Sequence, residues 1–533
     1  MASKKHIRRI EESLAAGDAQ TALALCQKRL RINPRDADII QLQTQALMTV
    51  GDFSGAVEAI AIVTAQRRAP AEAHHMHAYA LIQMDRKEDA YKTVQSGLKD
   101  HPDYGELLQY AGLLADQLIL PVDSERYYQK LTSVDPDNAD AWLGLGNAQQ
   151  KQGRDEEALT SYKTAAAADP TLSSPLVNAA NMLAKSKDQK SAQAAYQQVL
   201  QAFPDRIDVR ANLAASLVQS EDYIAAVAEY DGFLRAFPDD FDASLSRAKA
   251  LLKGGDAEAS VQALTNMARR FSDRPEVCPE LVNACLFMGD AALANSNLEI
   301  FLERFPKSAD VYSCISIIQA ALHPEKFTDG EAVLDAEIQG YDLTPPEGYA
   351  DAAAFFDDVC AAVYDHPSLM DTPADHATIK GFHTKDIAKA PVAAPIAALI
   401  DAIKARVRDY ARRPETRANP YFDGLDLESA GFNLWAVVMR EGGHQEAHIH
   451  PAARISGVVY CKVPSTIRDS NDRAGWIEFG RPHREFHQPE ILPTKLLKPT
   501  LGRIVIFPSH AYHATLPLSG ADHRISLAFD IVG

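Results

Sequence analysis

Apolar and polar positions in the first three-fifths of the chain follow the period of short amphipathic helices, cut at a fixed interval. Pro34, Pro102, Pro136, Pro170, Pro204, Pro238 and Pro306 all fall at multiples of 34. Gly17, Gly51, Gly153, Gly255 and Gly289 keep the same step, as do Ala22, Ala56, Ala90, Ala158, Ala192, Ala226 and Ala294. The pattern predicts a helix-turn-helix unit repeated about nine times and stacked as a solenoid. In each unit glycine would make the turn, alanine would let the paired helices approach, and proline would end the second helix. From about residue 430 the texture changes to short β-rich runs: "FNLWAVVM", "ISGVVYCKV", "GWIEF", "GRIVIFP" and "RISLAFDIV". Such runs at short spacing predict an antiparallel sandwich or barrel.

Between the two textures, "ADVYSCISIIQAAL" reads as a helix capping the array, followed by a connector rich in proline, glycine and acidic residues. Helical segments are expected around 349–364 and 393–412, flanking "HATIKGFHTKDIA". The expected organisation is a helical solenoid over 1–322, a linker over 323–344 and a second domain over 345–533, whose β core begins near 430.

Composition narrows the function classes. The 533 residues are 46% hydrophobic and 24% charged, as in ordinary globular proteins, and their number calls for more than one domain. A formal charge of −18 argues against a general nucleic-acid role. No apolar run approaches the roughly 18–20 residues that cross a bilayer, so no membrane partner is expected. "MASKKHIRRIEESLAAGD" has no apolar segment after its basic residues and does not read as a secretory signal. The six cysteines include no CxxC pair, which points to reduced thiols in a cytoplasmic protein.

The chemistry concentrates in histidine. Of 17 in the chain, His444, His448, His450, His483, His487, His510, His513 and His523 fall in the last ninety residues. On an extended segment His444, Glu446, His448 and His450 share one face, and a distant His510 or His513 could complete a metal site. His483, His487 and His523 read as solvated surface residues, and His510, where it is not the ligand, as a core or supporting residue.

Two family resemblances sharpen this reading. The first 320 residues resemble the tetratricopeptide repeat. Trp142, Leu145, Gly146, Ala158, Tyr162, Ala165 and Pro170 stand at its signature spacings, while Gln149 departs from the usual aromatic. The resemblance implies a groove for a protein or peptide partner. Residues 345–533 resemble bacterial and phage iron(II)- and 2-oxoglutarate-dependent oxygenases, through "HIHPAARISGVVY", "GRIVIFPSHAYHATLP", "RISLAFDI" and "ATIKGFHT". That resemblance implies a double-stranded β-helix (jelly roll), Fe(II) and 2-oxoglutarate as cofactor and cosubstrate, and O2 as oxidant. Carried over, it makes His448, His450 and His513 the metal ligands, with Arg524, Ser526 and Tyr460 on 2-oxoglutarate. An Arg fork suits a carboxylate, and Arg524 and Ser526 share a strand face. His450 stands where most of the wider superfamily places a carboxylate; the rival pair His444 and Glu446 would restore one. The function expected is hydroxylation of a protein or peptide brought by the repeats. The alternatives are a scaffold whose β-domain only binds a metal or ligand, and a three-His isomerase or dioxygenase that does not use 2-oxoglutarate.

Overall fold

The computed structural model describes the chain except for residues 1, 187, 326–330, 372–376, 390 and 489–491, so His376 of "HATIKGFHTKDIA" and part of the 323–344 stretch lie outside the described residues. Two compact units result, Met1–Pro238 and Asp239–Gly533.

The first unit is all-helical, from Ala2–Ala15 to Tyr223–Leu234, and successive helices pack on one another. The second opens with five helices of the same kind, Phe241–Lys253 to Ala309–Leu322. The 34-residue register is visible in the backbone of both. Gly17, Gly51, Gly153, Gly255 and Gly289 all have positive φ. Where that register lacks glycine, Asp85, Ile119 and Glu221 take the left-handed conformation themselves, at φ 55, 60 and 62. That conformation costs an L-residue about 1–2 kcal/mol, and the stacked helices on either side enforce it. At the next position of the register, Asp18, Asp52, Asp188, Asp222, Asp256 and Asp290 accept a hydrogen bond from the backbone N–H three residues on. These are helix N-caps. The seven register alanines are all fully buried, and Ser124 and Ser260 fill the same position in two other units. A larger side chain there would separate the paired helices.

The rest of the second unit is an antiparallel sheet with helices against it. Its strands are β1 (Gln339–Asp342), β2 (Met370–Asp371), β3 (Thr378–His383), β4 (Gly431–His448), β5 (Ile455–Lys462), β6 (Ile477–Phe479), β7 (Lys495–Leu497), β8 (Arg503–Pro508), β9 (His513–Thr515) and β10 (Arg524–Val532). The order is β1-β8-β5-β10-β4-β9-β6-β7, with β3 also on β4 and β2 on β3. β1 lies inside the stretch expected as a linker: Gln339 pairs with Ile506 and Asp342 with Arg503. A four-residue strand among prolines and acidic residues has no strong local signal, and its partner lies some 160 residues away.

Strand periodicity divides the sheet into two faces. On β10, Ile525, Leu527, Phe529 and Ile531 join Leu434, Ala436 and Val438 of β4 in a core covered by helices Ala352–Tyr364 and Ala394–Ala411. The alternate residues, Arg524, Ser526, Ala528 and Asp530, line a cavity on the other face. Gly457 of β5 holds the layers close, because a Cβ there would collide with the Phe529 ring and stand 2.6 Å from the Val505 carbonyl oxygen. Gly457→Ala is expected to lower stability by about 1–3 kcal/mol, read as a lower urea midpoint.

A second core of this unit joins the repeat helices to the sheet's loops. Helices Val277–Phe287, Ala291–Arg304 and Ala309–Leu322 bury Leu281, Leu298 and Ile317 together with Leu492 and Tyr512, and Ile449 and Phe486 pack against the cluster. Sequence texture separates repeats from β-domain near residue 322, whereas packing places the last five repeat helices with the sheet. Asn283, 4% exposed, fastens the loop after β6: its Nδ2 donates to the Glu485 carbonyl at 3.0 Å and its Oδ1 accepts from the His487 N–H at 2.8 Å. Lys253 pairs with Glu485 at 2.6 Å beside them.

Candidate functional site

The C-terminal end of β4 crosses β9 at His448, which pairs with His513 in register. Just past the strand, the His450 backbone N–H donates to the Ser509 carbonyl at 3.0 Å, turning the chain so that a third imidazole reaches the same point. One ring nitrogen from each of His448, His450 and His513 lies within 4.8 Å of the others, a spacing able to hold a metal ion. Ring centroids are 4.3 Å apart for His448 and His513, 5.1 Å for His450 and His513, and 5.4 Å for His448 and His450.

The surroundings of each ring set its tautomer. His448 Nδ1 lies 2.7 Å from the Glu446 carbonyl oxygen and His513 Nδ1 lies 3.1 Å from that of Ala511. His450 Nδ1 lies 2.6 Å from Asp530 Oδ1. A carbonyl or carboxylate oxygen only accepts, so each Nδ1 carries the proton and each Nε2 keeps a lone pair for a metal. Burial, reinforced by His450, pushes the His448 pKa down to about 4, and burial with His448 and His450 nearby holds His513 well below the usual imidazole range. These two rings are neutral at pH 7, as ligation requires.

The alternation expected along His444, Glu446, His448 and His450 is interrupted, because the β4–β9 register shifts between Gln445 and His448. An irregular strand re-aims its side chains. His444 Nδ1 faces the Gly442 carbonyl at 3.1 Å, and the Glu446 carboxylate lies 3.9 Å from Arg484 on the surface. Neither belongs to the histidine cluster. His510 stands apart too, packed 4.6 Å from the Tyr421 ring and 5.5 Å from that of Tyr312, its Nε2 buried without a hydrogen-bond partner among the described residues. Burial lowers its pKa to about 4. His523 hydrogen-bonds Tyr364 at 2.9 Å at the surface. His487 is not simply solvated, since its ring packs 4.8 Å from that of Phe287 on a repeat helix.

The low pKa values of His448 and His510 set a pH dependence. Below pH 6.5 the unfolded imidazoles take up protons, whereas these folded ones resist until about pH 4. The unfolded state therefore binds more protons across that window, and stability falls as pH falls. Each group contributes about 1.4 kcal/mol per pH unit at most. Urea unfolding of metal-free protein at pH 7, 6 and 5 should show a falling midpoint at constant slope.

A cavity of about 430 Å³ opens beside the three rings. Ser526 and Tyr460 stand opposite each other on β10 and β5, and both line it with Arg524. Arg524 is 2% exposed and its guanidinium carbon lies 5.7 Å from the Tyr460 ring centre. Its Nη1 donates to the Gly475 carbonyl at 2.6 Å, Nη2 meets the Met439 sulfur at 3.0 Å, and Nε is buried without a partner among the described residues. No described carboxylate lies within 4 Å of it. Burial pushes its pKa down, but a guanidinium stays charged at neutral pH. Also in the lining, Thr515 donates to Gln445 at 3.3 Å and Gln445 to Thr378 at 3.2 Å.

Sequence reasoning missed Asp530 and the Asn283 clamp. Asp530 did leave a signal, since it shares strand parity with Arg524 and Ser526 in "RISLAFDIV".

No curated protein matches the chain. Among solved structures, MamA is 21% identical over 30% of this chain and 95% of its own, with a TM-score of 0.29. Pseudomonas aeruginosa pilF is 18% identical over 39% and 95%, with a TM-score of 0.33. The C-terminal part of a TPR repeat-containing protein from Cytophaga hutchinsonii is 12% identical over 45% and 98%, with a TM-score of 0.40. Residues 122–173 and 211–275 match the tetratricopeptide repeat model. Residues 433–530 match the family described as "Putative 2OG-Fe(II) oxygenase", which implies Fe(II) and 2-oxoglutarate. The chain thus carries tetratricopeptide repeats and, following them, a domain matched by the 2OG-Fe(II) oxygenase family.

Proposed function

We propose that this protein is an iron(II)- and 2-oxoglutarate-dependent oxygenase that hydroxylates a protein or peptide recruited by its repeats. The observation that carries the reading is Arg524: a fully buried guanidinium with no carboxylate partner among the described residues, on the wall of the cavity that holds three inward-facing imidazoles. Burying an unpaired charge costs several kcal/mol, so such a residue makes sense where an anionic ligand completes it.

His448, His450 and His513 would hold the metal through Nε2, kept in the right tautomer by their Nδ1 partners. Arg524 would take the distal carboxylate of 2-oxoglutarate through its fork, with Ser526 and the Tyr460 hydroxyl adding hydrogen bonds. With both bound, the centre supplies O2 activation coupled to decarboxylation of 2-oxoglutarate to succinate and hydroxylation of a C–H bond. The rest of the cavity, including the Thr515–Gln445–Thr378 chain, would receive the substrate group, and the surrounding sheet would exclude water. A double-stranded β-helix is the sheet arrangement this reading expects. The repeats favour a polypeptide as the substrate's source, because stacked helix pairs offer long surfaces for extended chains.

The test is succinate release from 2-oxoglutarate by purified protein with Fe(II), ascorbate and O2, with and without cell extract. Mass spectrometry of the extract should find a polypeptide gaining one oxygen atom. No succinate in any condition defeats the enzyme reading and leaves the scaffold. Iron-dependent O2 consumption without 2-oxoglutarate would instead indicate a three-His dioxygenase, which gives Arg524 no role.

A further inference from the structure

The three imidazoles differ in what stands behind them. Backbone carbonyls back His448 and His513, whereas a carboxylate backs His450. That carboxylate belongs to Asp530, on β10, on the same strand face as Arg524 and Ser526. We propose that Asp530 is a positioning residue for the metal centre, supplying through His450 the negative charge that a directly bound carboxylate would bring. The inference rests on the metal reading above and deepens it.

Charge counting motivates the assignment. Three neutral imidazoles around a divalent cation leave a charge of +2, while two imidazoles and a carboxylate leave +1. Asp530 returns the count to +1 one hydrogen bond further out. Its 2.6 Å contact to His450 Nδ1 also makes Nε2 a stronger donor, since a carboxylate draws on the Nδ1 proton more than a carbonyl does.

The rest of the arrangement fixes Asp530 in that role. Ser456 Oγ donates to the same Oδ1 at 2.6 Å and lies 2.7 Å from Ser509 Oγ, and both serines are fully buried. The chain Ser509–Ser456–Asp530–His450 leaves the carboxylate little freedom to turn away. Among the described residues, the one positively chargeable group within 4 Å of Asp530 is His450, so no Lys or Arg there neutralises it. Ser456, Ser509 and Asp530 belong to the "RISGVVY", "FPSH" and "SLAFDI" runs, so three separate pieces of sequence converge behind one ligand.

The test compares Fe(II) affinity, measured anaerobically without 2-oxoglutarate by competition with a chelating dye, and follows the Co(II) absorption spectrum. Asp530→Asn keeps the size and an acceptor oxygen but removes the charge. It should weaken Fe(II) binding about 10- to 100-fold and shift the Co(II) bands, with the metal-free melting temperature little changed. In a His450→Asp background a carboxylate supplies the charge directly and no imidazole relays that of Asp530, so adding Asp530→Asn should cost far less Fe(II) affinity than it does in the wild type. That non-additivity, beside the Co(II) shift of the single variant, is an outcome that a general loosening of the fold does not produce. Wild-type affinity in Asp530→Asn, or an equal loss in the His450→Asp background, would overturn the proposal while leaving the oxygenase reading intact. Absence of metal binding by the wild type would overturn both.

Discussion

Arg524→Met should give a protein that is harder to unfold yet blind to 2-oxoglutarate. The two halves of that result come from one side chain. The guanidinium is 2% exposed, and among the described residues its Nε has no partner and no carboxylate neutralises it. Replacing even a buried ion pair by apolar groups of similar volume is often neutral or stabilising by about 1–4 kcal/mol, and a lone buried charge has no Coulombic partner to lose. The opposing effect is that the Gly475 carbonyl loses its donor, and an unsatisfied group of that kind costs about 1–3 kcal/mol. The desolvation penalty of an uncompensated ion, several kcal/mol, is the larger quantity, so the net sign is stabilising. Loss of a buried charge partner costs about 3–5 kcal/mol, so affinity for 2-oxoglutarate should fall roughly 100- to 1,000-fold or more. Thermal unfolding without ligand and calorimetric titration with Mn(II) and 2-oxoglutarate read the two effects separately. Arg524→Lys should keep the destabilising charge and lose most of the affinity, because an ammonium lacks the planar fork. A less stable Arg524→Met that still binds 2-oxoglutarate would contradict the assignment.

His513→Ala should abolish both metal binding and succinate release. His513 is 6% exposed, paired in register with His448 across β4 and β9 and with Phe479 across β6 and β9. Loss of a mere supporting partner costs metal sites about 10- to 100-fold, and loss of a ligand should exceed that. The readout is the rise in melting temperature on adding Fe(II) or Mn(II): present in the wild type, absent in His513→Ala. His523→Ala, which removes only a surface contact to Tyr364, should keep that rise and the turnover. Retention of the metal-induced shift in His513→Ala would remove His513 from the ligand set.

Some of this was legible in the chain because the physical cause was local or periodic. A turn that needs positive φ selects glycine, and a close helix pair selects alanine, so the 34-residue register wrote the solenoid into composition. Asp85, Ile119 and Glu221 show the limit: the same turn forms without its preferred residue, because neighbouring helices impose it. On β10, strict alternation put Ile525, Leu527 and Phe529 in one core and Arg524 and Ser526 in the cavity, as a reading of parity predicts. That reading fails at Gln445–His448, where a register shift re-aims the side chains, and a shift in pairing depends on β9, some seventy residues away. Asp530 was overlooked for the same reason. A lone acid in a strand resembles a solvent-facing residue until the fold sets a histidine from eighty residues earlier against it. The β1 strand and the Asn283 clamp likewise arise from partners far along the chain.

Ile449 sits between two of the clustered histidines and Tyr512 directly precedes the third. Both are packed into the core built by helices Val277–Phe287, Ala291–Arg304 and Ala309–Leu322. The last repeats are therefore part of the wall against which the site is built, and modularity at the level of sequence families does not carry over to modularity of pieces. A fragment starting at residue 345 would present Ile449, Phe486, Leu492 and Tyr512 to water and release the loop that Asn283 holds. Any transplant of this β-domain onto another solenoid would have to bring residues from Asp239 onward.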